Sequence, residues 1–345
     1  RKHVFFNEQL TEEEYKKKVG EIDLGSYKTY TDMKKRAEAE WKKTAPLPVY
    51  DYISTENCTG SYVFYSKNCK ECYDSGYCED CKYVMLIKAD TKDSYDYTDW
   101  GTGAERIYES ITVGNGVYNV RFAQDVHASS DIDYAKSCMN STNLFGCSGM
   151  RKKNHYILNK KYTKKEFIIT RDKIIDQMSK MPYADTMGRV YRYGEFFPMA
   201  LSPHDYNDTF AHMFDPKERE SAEREGLSWM NSPLGEYKTT TLAKDLPDHI
   251  RDVGDDILKE TIGCETCSRG YRITAFELQF LNQHNLPLPR RCPFCRIEEK
   301  IKQWVKQMRL VKRVCDKCEV DFQTPYDKED APKIFCKACY FKEVI

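Results

Sequence analysis

The chain has 345 residues, in which 54 Lys and Arg balance 54 Asp and Glu, and 40% of its residues are hydrophobic. Its mean hydropathy is −0.73, and its longest apolar stretch, Tyr83 to Ile87, is too short to cross a bilayer, which excludes a membrane span. This length accommodates two or three domains. The 15 cysteines include CxxC pairs, which suit metal binding better than a secreted disulfide framework, so we expect a reducing, cytoplasmic setting.

The zero net charge conceals an asymmetry along the chain. Residues 51–150 hold 8 Lys or Arg and 15 Asp or Glu, whereas residues 290–317 hold 10 Lys or Arg and 3 Asp or Glu. This pattern predicts a contact between acidic and basic parts, within one molecule or head to tail, or a basic surface for nucleic acid or an acidic partner.

An internal repeat links the N-terminus to the middle of the chain. Residues Lys2 to Tyr15 align with Asn154 to Phe167 at a constant offset, which matches His3 with His155, Asn7 with Asn159, Thr11 with Thr163 and Glu14 with Glu166. The second copy follows a long repetitive segment. We therefore expect the first copy to follow one in the natural protein, so that an N-terminal portion, and any targeting signal within it, is missing here.

Both copies of the repeat predict a helix. Thr11 with Glu14, and Thr163 with Glu166, have the capping-box spacing, which predicts helices over residues 11–20 and 163–180. A further helix is expected near residues 32–43, before the linker at Ala45 to Pro48. For the repeated histidines, a strand-end side chain satisfied by the backbone is favoured over a metal ligand.

The segment from 50 to 150 is periodic. Polar or acidic residues recur at Asn57, Asn68, Asp80, Asp93, Glu105, Asn119, Asp131 and Asn143, followed directly by Cys58, Cys69, Cys81, Ser94, Arg106, Val120, Ile132 and Leu144. Aromatic residues follow three positions after a marker at Tyr83, Tyr108, Phe122 and Tyr134. The pattern predicts short strands with a turn residue, an inward residue and an outward aromatic ring, with two units forming one coil of about 24 residues in a parallel β-solenoid.

The cysteines of this segment allow two interpretations. In the favoured one they line the solenoid core, where Cys58, Cys69 and Cys81 stack, Cys138 and Cys147 follow, and asparagines form ladders at the turns. In the other, Cys69, Cys72, Cys78 and Cys81 form a third metal site, although the gap between the two CxxC pairs is short for one.

Residues 183–258 contain few sequence patterns that predict structure or function. Pro216 and the acidic residues after it predict a helix starting near Asp215. Five polar side chains could converge on a catalytic or metal site, although a surface loop is the favoured interpretation: His204, Asp205, Asn207, Asp208 and His212. The histidines lie eight residues apart, not the four that a helical metal pair needs. The chain contains no P-loop, GxGxxG, GxSxG or HExxH motif, so an enzyme is not expected.

Four CxxC pairs lie between Cys264 and Cys339. They predict two structural zinc sites in tandem treble-clef modules, with the shells Cys264, Cys267, Cys292, Cys295 and Cys315, Cys318, Cys336, Cys339. In each shell the second pair opens a helix, and the longer helix has its apolar side chains at helical spacing: Ile297, Ile301, Trp304, Val305, Met308 and Val311. An interleaved shell that joins Cys292 and Cys295 to Cys315 and Cys318 is the alternative. Shells of four cysteines leave no open position, which favours a structural role over catalysis.

Two resemblances add to this interpretation. The segment from Cys264 to about Lys300 resembles the small probable zinc-ribbon module, in its CxxC knuckle, the Tyr-x-x-Thr-x-x-Glu at Tyr271 to Glu277, and the Pro-x-x-Cys-Pro-x-Cys-Arg close at Pro289 to Arg296. Most of the chain resembles an uncharacterised family of Cys-, Tyr- and Asn-rich proteins of candidate-phyla-radiation bacteria. These resemblances imply an architecture and a bacterial origin, and leave the function open.

Three functions can be weighed on the sequence. The first is a zinc-stabilised binding protein whose basic C-terminal modules contact nucleic-acid backbone through Arg290, Arg291, Arg296, Lys302, Lys306, Arg309 and Arg313. The last four are spaced to line one helical stripe, for which a solvated helix face is an equally good explanation. The second is a structural or protein-interaction scaffold with a partner on the acidic solenoid face. The third, an enzyme with a site near His204, has the least support.

The predicted architecture is therefore mixed and multidomain. Its segments are capping-box helices and a linker at 1–47, β-solenoid-like repeats at 48–150, a repeated hairpin-helix motif at 151–182, an aromatic-rich segment at 183–258, a first zinc module at 259–313 and a second at 314–345.

Overall fold

The computed structural model describes residues 2–49, 53–231 and 238–343. At the N-terminus a hairpin of β1 (His3–Phe5) and β2 (Glu8–Leu10) precedes helices α1 (Glu12–Gly20) and α2 (Tyr27–Trp41). The capping box is confirmed, because the Thr11 amide and hydroxyl donate to Glu14 and the Glu14 amide donates to Thr11. Helix α2 begins earlier than predicted, since the Ser26 hydroxyl caps it by accepting from the Thr29 amide at 3.2 Å.

The predicted parallel β-solenoid is confirmed and has about eight coils. Its strands are β3 (Gly60–Phe64), β4 (Cys72–Gly76), β5 (Cys78–Glu79), β6 (Lys82–Ile87), β7 (Thr91–Lys92), β8 (Tyr95–Gly101), β9 (Ala104–Gly114), β10 (Val117–His127), β11 (Ser130–Met139), β12 (Thr142–Phe145) and β13 (Asn154–Ile157). Tyr118 pairs with Ser130, and Ser130 pairs with Thr142. One coil is thus a single repeat unit, and the expectation of two units per coil is wrong.

The coil is half the expected length because the backbone turns every three residues. In one coil Asn119, Phe122, Asp125 and Ala128 all have positive φ, and the series resumes at Asp131. Each left-handed residue makes a corner, so four short sides close a coil. The residue after each corner points inward. In this coil the inward residues Val120, Ala123, Val126 and Ser129 are all buried.

The corner markers were identified correctly in seven of eight coils. Asn57, Asn68, Asp80, Asp93, Asn119, Asp131 and Asn143 all have positive φ, but the eighth corner is Arg106 and not Glu105. Arg106 is therefore outward and Ile107, 1% exposed, takes the inward position. The shift arises because the neighbouring coils are longer by a single residue, as the pairing of Tyr95 with Tyr108 shows.

Serine hydroxyls join neighbouring coils from inside. The Ser129 hydroxyl donates to the His127 carbonyl at 2.7 Å and accepts from the Ser141 amide of the next coil at 3.1 Å. Ser141 repeats both bonds, to Met139 and Lys153. A small polar side chain is therefore satisfied in the core without water.

Two ladders run along the outside, as predicted. At the marker corner, side-chain amides donate to the next coil, for example Asn119 to Asp131 at 2.7 Å and Asn143 to Asn154 at 3.1 Å. Aromatic rings contact one another over successive coils at centroid distances of 4.6 to 5.9 Å, in the order Tyr83, Tyr95, Tyr108, Phe122, Tyr134 and Phe145.

The second repeat copy closes the C-terminal end of the solenoid. Strand β13 pairs in parallel with β12 and then turns into the antiparallel β14 (Lys160–Lys161). Helix α3 (Lys164–Lys180) follows, with the predicted capping box of Thr163 and Glu166. Phe167 of α3 is buried against Phe145 and Ile157, so the helix packs on the aromatic ladder along the outside of the last coils.

The remaining chain contains short elements. The middle holds β15 (Tyr183–Ala184), β16 (Val190–Tyr191), α4 (Phe210–Phe214) and α5 (Arg219–Arg224), and the C-terminal part holds β17 (Thr241–Leu242), β18 (Ile262–Gly263), β19 (Gly270–Tyr271), α6 (Ala275–Gln283), α7 (Pro293–Lys306), β20 (Val311–Val314), β21 (Asp321–Thr324) and α8 (Lys337–Glu343). The helix expected from Asp215 begins at Arg219. Asp215 instead follows the end of α4, with φ −130° and ψ 76°. The ring of Pro216 disfavours the helical conformation for the residue before it.

No helix within the described ranges is both long and apolar enough to cross a membrane.

Candidate metal centres

The first group of cysteines is Cys264, Cys267, Cys292 and Cys295, whose sulfur atoms all lie within 4.8 Å of one another. The Sγ atoms of Cys264 and Cys295 are 3.9 Å apart, and those of Cys267 and Cys292 are 3.8 Å apart. Because a tetrahedral shell with Zn–S bonds of about 2.3 Å separates its sulfurs by about 3.8 Å, this spacing fits a zinc ion.

The second group is Cys315, Cys318, Cys336 and Cys339, with the same 4.8 Å limit. Its Cys318 and Cys336 sulfurs are 3.7 Å apart. Both groups are the sets predicted from the sequence. The interleaved alternative is wrong for the described residues, because Cys292 and Cys295 lie with Cys264 and not with Cys315.

Each group has the treble-clef arrangement. In the first, Cys264 and Cys267 lie in the turn between β18 and β19, while Cys292 is the N-cap of α7 and Cys295 lies in its first turn. In the second, Cys315 and Cys318 lie between β20 and β21, and Cys339 lies in the first turn of α8. The helix N-terminus presents a positive partial charge to the thiolates.

Backbone amides favour the thiolate form of one cysteine in each group. The Cys292 amide donates to the Cys264 sulfur at 3.2 Å, and the Cys336 amide donates to the Cys315 sulfur at 3.2 Å. Burial raises the pKa of Cys264 and of Cys315, but these amides and those after each cysteine outweigh it and lower the pKa to about 6 in both. A metal ligand must be deprotonated, so these groups are suited to bind a cation near neutral pH.

The donor set also fits zinc chemically. Four thiolates with the observed spacing suit a tetrahedral, redox-inactive ion, and they fill its coordination shell. Cys264, Cys292 and Cys295 are at most 9% exposed. Such a closed site stabilises a fold and offers no position for a substrate.

The solenoid cysteines lie in a different environment. Cys69, Cys72, Cys78 and Cys81 are at most 2% exposed, within the same buried cluster as Val84 and Val120. A contact with the Cys72 thiol lowers the pKa of Cys69, but the Cys81 thiol and burial raise it overall to about 12. In the described part of the chain their sulfurs do not meet the four-ligand spacing of the two C-terminal groups. They are residues of the solenoid core.

Arg290, one of the predicted nucleic-acid contacts, is buried. It is 7% exposed, and its guanidinium donates to the carbonyls of Ala243, Leu246 and Pro247 at 2.8 to 2.9 Å. It also lies 4.7 Å from the centroid of the Tyr27 ring. Arg290 therefore fixes the first module to two preceding segments and is not free to meet a phosphate.

The other predicted basic contacts also have partners within the chain. Arg291 pairs with Glu299, Arg296 with Glu277, Lys302 with Glu298, Lys306 with Asp330 and Arg309 with Asp327, while Arg313 donates to the Tyr326 and Ala331 carbonyls. The predicted helical stripe is wrong in extent. Helix α7 ends at Lys306 and Val311 begins β20, so Arg309 and Arg313 are not on a face of that helix.

The aromatic segment around His204 shows no assembled site. His212 packs between the rings of Tyr206 and Trp229, at centroid distances of 5.6 and 5.5 Å. The Asn207 side-chain amide donates a hydrogen bond to the Met230 carbonyl, and its oxygen accepts one from the Met230 amide. In the described part of the chain, Asp205 and Asp208 join neither histidine in a group of metal-ligand spacing.

The repeated histidines are packing residues. The His3 ring lies 5.4 Å from the Tyr15 ring, and the His155 ring lies 5.6 Å from the Phe167 ring. Each ring contacts the following helix and not the predicted backbone partner, and among the described residues neither histidine belongs to a group of metal-ligand spacing.

Sequence reasoning missed how the N-terminal segment binds the first zinc module and the residues directly before that module. Asp23 accepts from Asn285 at 3.0 Å and lies 2.9 Å from the His249 ring nitrogen, and the Ser26 hydroxyl donates to Asp248 at 2.6 Å. A Cβ at Gly25 would lie 2.2 Å from the Asn285 amide oxygen. The sequence shows a glycine at position 25, but it does not show that His249 and Asn285, which lie far along the chain, pack closely against that glycine.

Comparison with protein-family models, with curated proteins and with solved structures gives no match for this chain.

Proposed function

We propose that the protein is a binding scaffold, in which the β-solenoid presents an extended acidic surface to a protein partner with basic groups. Two zinc-stabilised modules hold the C-terminal part. The proposal rests mainly on the carboxylates that border one side of the solenoid. A cytoplasmic setting suits it, because none of the fifteen cysteines forms a disulfide.

One solenoid side carries a continuous row of outward residues. Its members pair coil by coil in the order Tyr73, Met85, Thr98, Ile111, Gln124 and Lys136. We call this side the acidic face, because carboxylates occupy corners on both of its borders. Glu71, Asp96 and Glu109 lie on one border, and Asp74, Asp99 and Asp125 lie on the other, all with positive φ.

Stacked carboxylates carry a cost in the free protein. Coils in a parallel sheet are about 4.8 Å apart, so Asp96 and Glu109 repel each other across neighbouring coils. Burial, together with the charge of Asp96, raises the pKa of Glu109. A positively charged partner would relieve this repulsion, and an arrangement of this kind favours rapid, salt-sensitive association.

Charge-neutralising variants with polylysine as the probe test the acidic face. Asp74→Asn, Asp96→Asn and Asp99→Asn together remove three charges from the face, and asparagine tolerates the left-handed corner conformation. The matched control is Asp80→Asn, Asp93→Asn and Asp131→Asn, which removes three charges from the marker corner. We expect the first variant alone to weaken binding at low salt. Equal weakening by both would mean attraction by net charge and would refute a specific face.

The zinc proposal has a separate test by metal analysis of the purified chain. We expect two zinc ions per chain, reduced to one by Cys292→Ser and by Cys336→Ser individually. Cys138→Ser, which alters a solenoid core cysteine, is the matched control and should leave two. A chain without zinc would remove the metal-stabilised modules from the proposal.

Contact with nucleic-acid backbone is a second candidate. The exposure of three basic side chains supports it, since Lys302, Lys306 and Arg309 have side-chain exposures of 69%, 48% and 53%. Surface ion pairs of this kind are weak, so phosphate could replace their partners.

The test of this candidate is binding to RNA and DNA, single-stranded and duplex, over a salt series. Lys302, Lys306, Arg309 and Arg313 are replaced together by Gln. Tight binding whose salt dependence is reduced in the variant would support nucleic-acid contact. An absence of binding at low salt would exclude it.

A further inference from the structure

The N-terminal hairpin and helix repeat the unit that closes the solenoid. Phe6 and Asn7 have φ 47° and 64°, and their counterparts Leu158 and Asn159 have φ 47° and 63°. Val4 pairs with Gln9 and Phe5 with Glu8, as Tyr156 pairs with Lys161 and Ile157 with Lys160. The capping boxes and the histidine-ring contacts also correspond.

The two copies differ in what lies against their first strand. Strand β13 pairs with β12 on one edge and β14 on the other, and the Leu158 amide donates to the Phe145 carbonyl at 3.0 Å. Strand β1 pairs only with β2 among the residues described. The edge of β1 that corresponds to the solenoid-bound edge of β13 therefore has its backbone groups free for another strand.

Side chains on the same surface are correspondingly uncovered. Phe145 packs with Ile157 and Phe167 in a buried cluster. Phe5 and Tyr15, the counterparts of Ile157 and Phe167, instead line an open groove of about 370 Å³. Val4, Val19 and Trp41 line the same groove. Val4 is 47% exposed and Trp41 is 69% exposed. Apolar side chains around an unpaired strand edge are typical of a binding site for another strand.

The asparagine of the hairpin turn indicates what kind of strand would pair with β1. The Asn159 amide donates to the Ser148 carbonyl and its oxygen accepts from the Ser148 amide, both at 3.0 Å, which fixes the corner of the preceding coil. Asn7 has the same backbone conformation, and no hydrogen bond involves its side chain within the described ranges. It is positioned to hold the same corner of another coil.

We propose that the surface formed by β1 and α1 binds the open C-terminal end of a parallel β-solenoid with coils of the same length as those of this chain, as the second copy binds the coil ending at Lys153. The occupant is thus a coil with the three-residue corner spacing of residues 142–153, which adds a parallel strand to β1. A second copy of this chain cannot supply it in the same way, because β13 already pairs with the last coil of its own solenoid.

A graft into the full chain tests the proposal. Residues 118–153, three coils of this solenoid, are placed directly before Lys2, so that Lys2 takes the position of Asn154. We expect the Phe6 amide, the counterpart of Leu158, to exchange its hydrogen at least about tenfold more slowly than in the unaltered chain. The matched control carries one glycine between the graft and Lys2, which moves every inward residue of the graft out of register, and it should give no protection.

A substitution in the grafted chain tests the asparagine. Asn7→Ala should reduce the new protection of Phe6, as Asn159→Ala reduces the protection of Leu158 in the unaltered chain. The same Asn7→Ala substitution without the graft should leave the exchange rate of Phe6 unchanged.

A second variant keeps the test decisive if the grafted coils do not fold. Residues 2–15 replace residues 154–167, a segment of equal length, so that the N-terminal unit lies against the existing coil. Protection at the position of Leu158 should persist. The proposal is overturned if that protection is lost while residues 130–141 stay protected, or if a folded graft leaves Phe6 exchanging at its original rate. Protection of Phe6 that rises with concentration in the unaltered chain would assign the surface to a second copy and would also overturn it.

Discussion

Arg290 and the cysteines of the solenoid core lie where solvent does not reach them. Arg290 lies under Tyr27 and saturates three carbonyls, and the solenoid thiols donate to carbonyls of their own and neighbouring coils, as Cys69 does to Lys67 and Cys78. The sequence predicts a nucleic-acid contact for Arg290 and allows a third metal site as the alternative for Cys69, Cys72, Cys78 and Cys81. Their burial makes them structural residues.

Arg290→Ala should destabilise the C-terminal part by about 2–4 kcal/mol, because three carbonyls lose a charged donor and the Tyr27 ring loses its cation. Lys302→Gln is the matched control, since its partner Glu298 is on the surface, and it should cost less than about 1 kcal/mol. Denaturant unfolding measures both. Equal effects of the two substitutions would contradict the buried role of Arg290.

The solenoid should lose stability in alkali. For both Cys69 and Cys81 one neighbouring thiol lowers the pKa, but a second thiol and burial raise it overall to about 12, from 9.0 for an ordinary cysteine. Between these values the folded state holds more protons than the unfolded one, so this stability is fully present below about pH 9 and is lost as pH rises through the folded pKa. Thermal unfolding measured from pH 8 to 11 should show stability falling as pH rises. The double substitution Cys69→Ala and Cys81→Ala should make this fall less steep. A slope unaffected by the double substitution would contradict the assignment.

At the scale of elements, the two copies of the repeat begin a helix with the same capping box, but the two helices pack differently. Helices α1 and α3 have matching capping boxes, but α3 buries Phe167 and α1 buries no residue. The cap therefore determines where each helix begins, and packing determines whether the helix contributes to the stability of a larger unit.

Thr163→Ala should lower the free energy of unfolding of the solenoid by about 1 kcal/mol, since the cap of a packed helix is lost. Thr11→Ala removes an equivalent cap from a helix that is not packed on a solenoid end. It should increase hydrogen exchange within α1 and leave the solenoid transition unchanged. A matching drop in the solenoid transition for both would mean that α1 and the solenoid unfold as one unit.

At the scale of the whole molecule, a repetitive solenoid is combined with modules whose small cores centre on cysteines. The second module has a buried cluster of Cys315, Phe335, Cys336 and Cys339. So small a core cannot offset the entropy of ordering the segment without a metal. The N-terminal segment reaches both modules, through Asp23, which accepts from Asn285 at 3.0 Å, and through the Pro48 carbonyl, which accepts from the Thr324 hydroxyl at 2.6 Å.

Removal of metal by a strong chelator should therefore unfold the C-terminal modules and release residues 23–48, while the solenoid stays folded. Hydrogen exchange should rise in α6, α7 and α8 and stay slow in β9, β10 and β11. Re-addition of zinc should restore the protection. If the solenoid loses protection together with the modules, the two parts are a single cooperative unit and this division is wrong.

The sequence by itself determined the features that depend on near neighbours. Thr and Glu three residues apart specify a capping box, paired CxxC spacings specify which thiols lie together, and a short, regular repeat period specifies a solenoid, because each signal and its structure lie within a few turns of chain. The period did not reveal that one unit closes a coil, because the three-residue corner spacing depends on left-handed backbone at residues as different as Asn119, Phe122 and Ala128. Only the tertiary structure decided that Arg290 is buried, that helix α7 stops before Arg309, and that Asp23 meets His249 and Asn285. Those outcomes depend on segments far apart in the chain, whose approach is set by packing and by the satisfaction of buried polar groups.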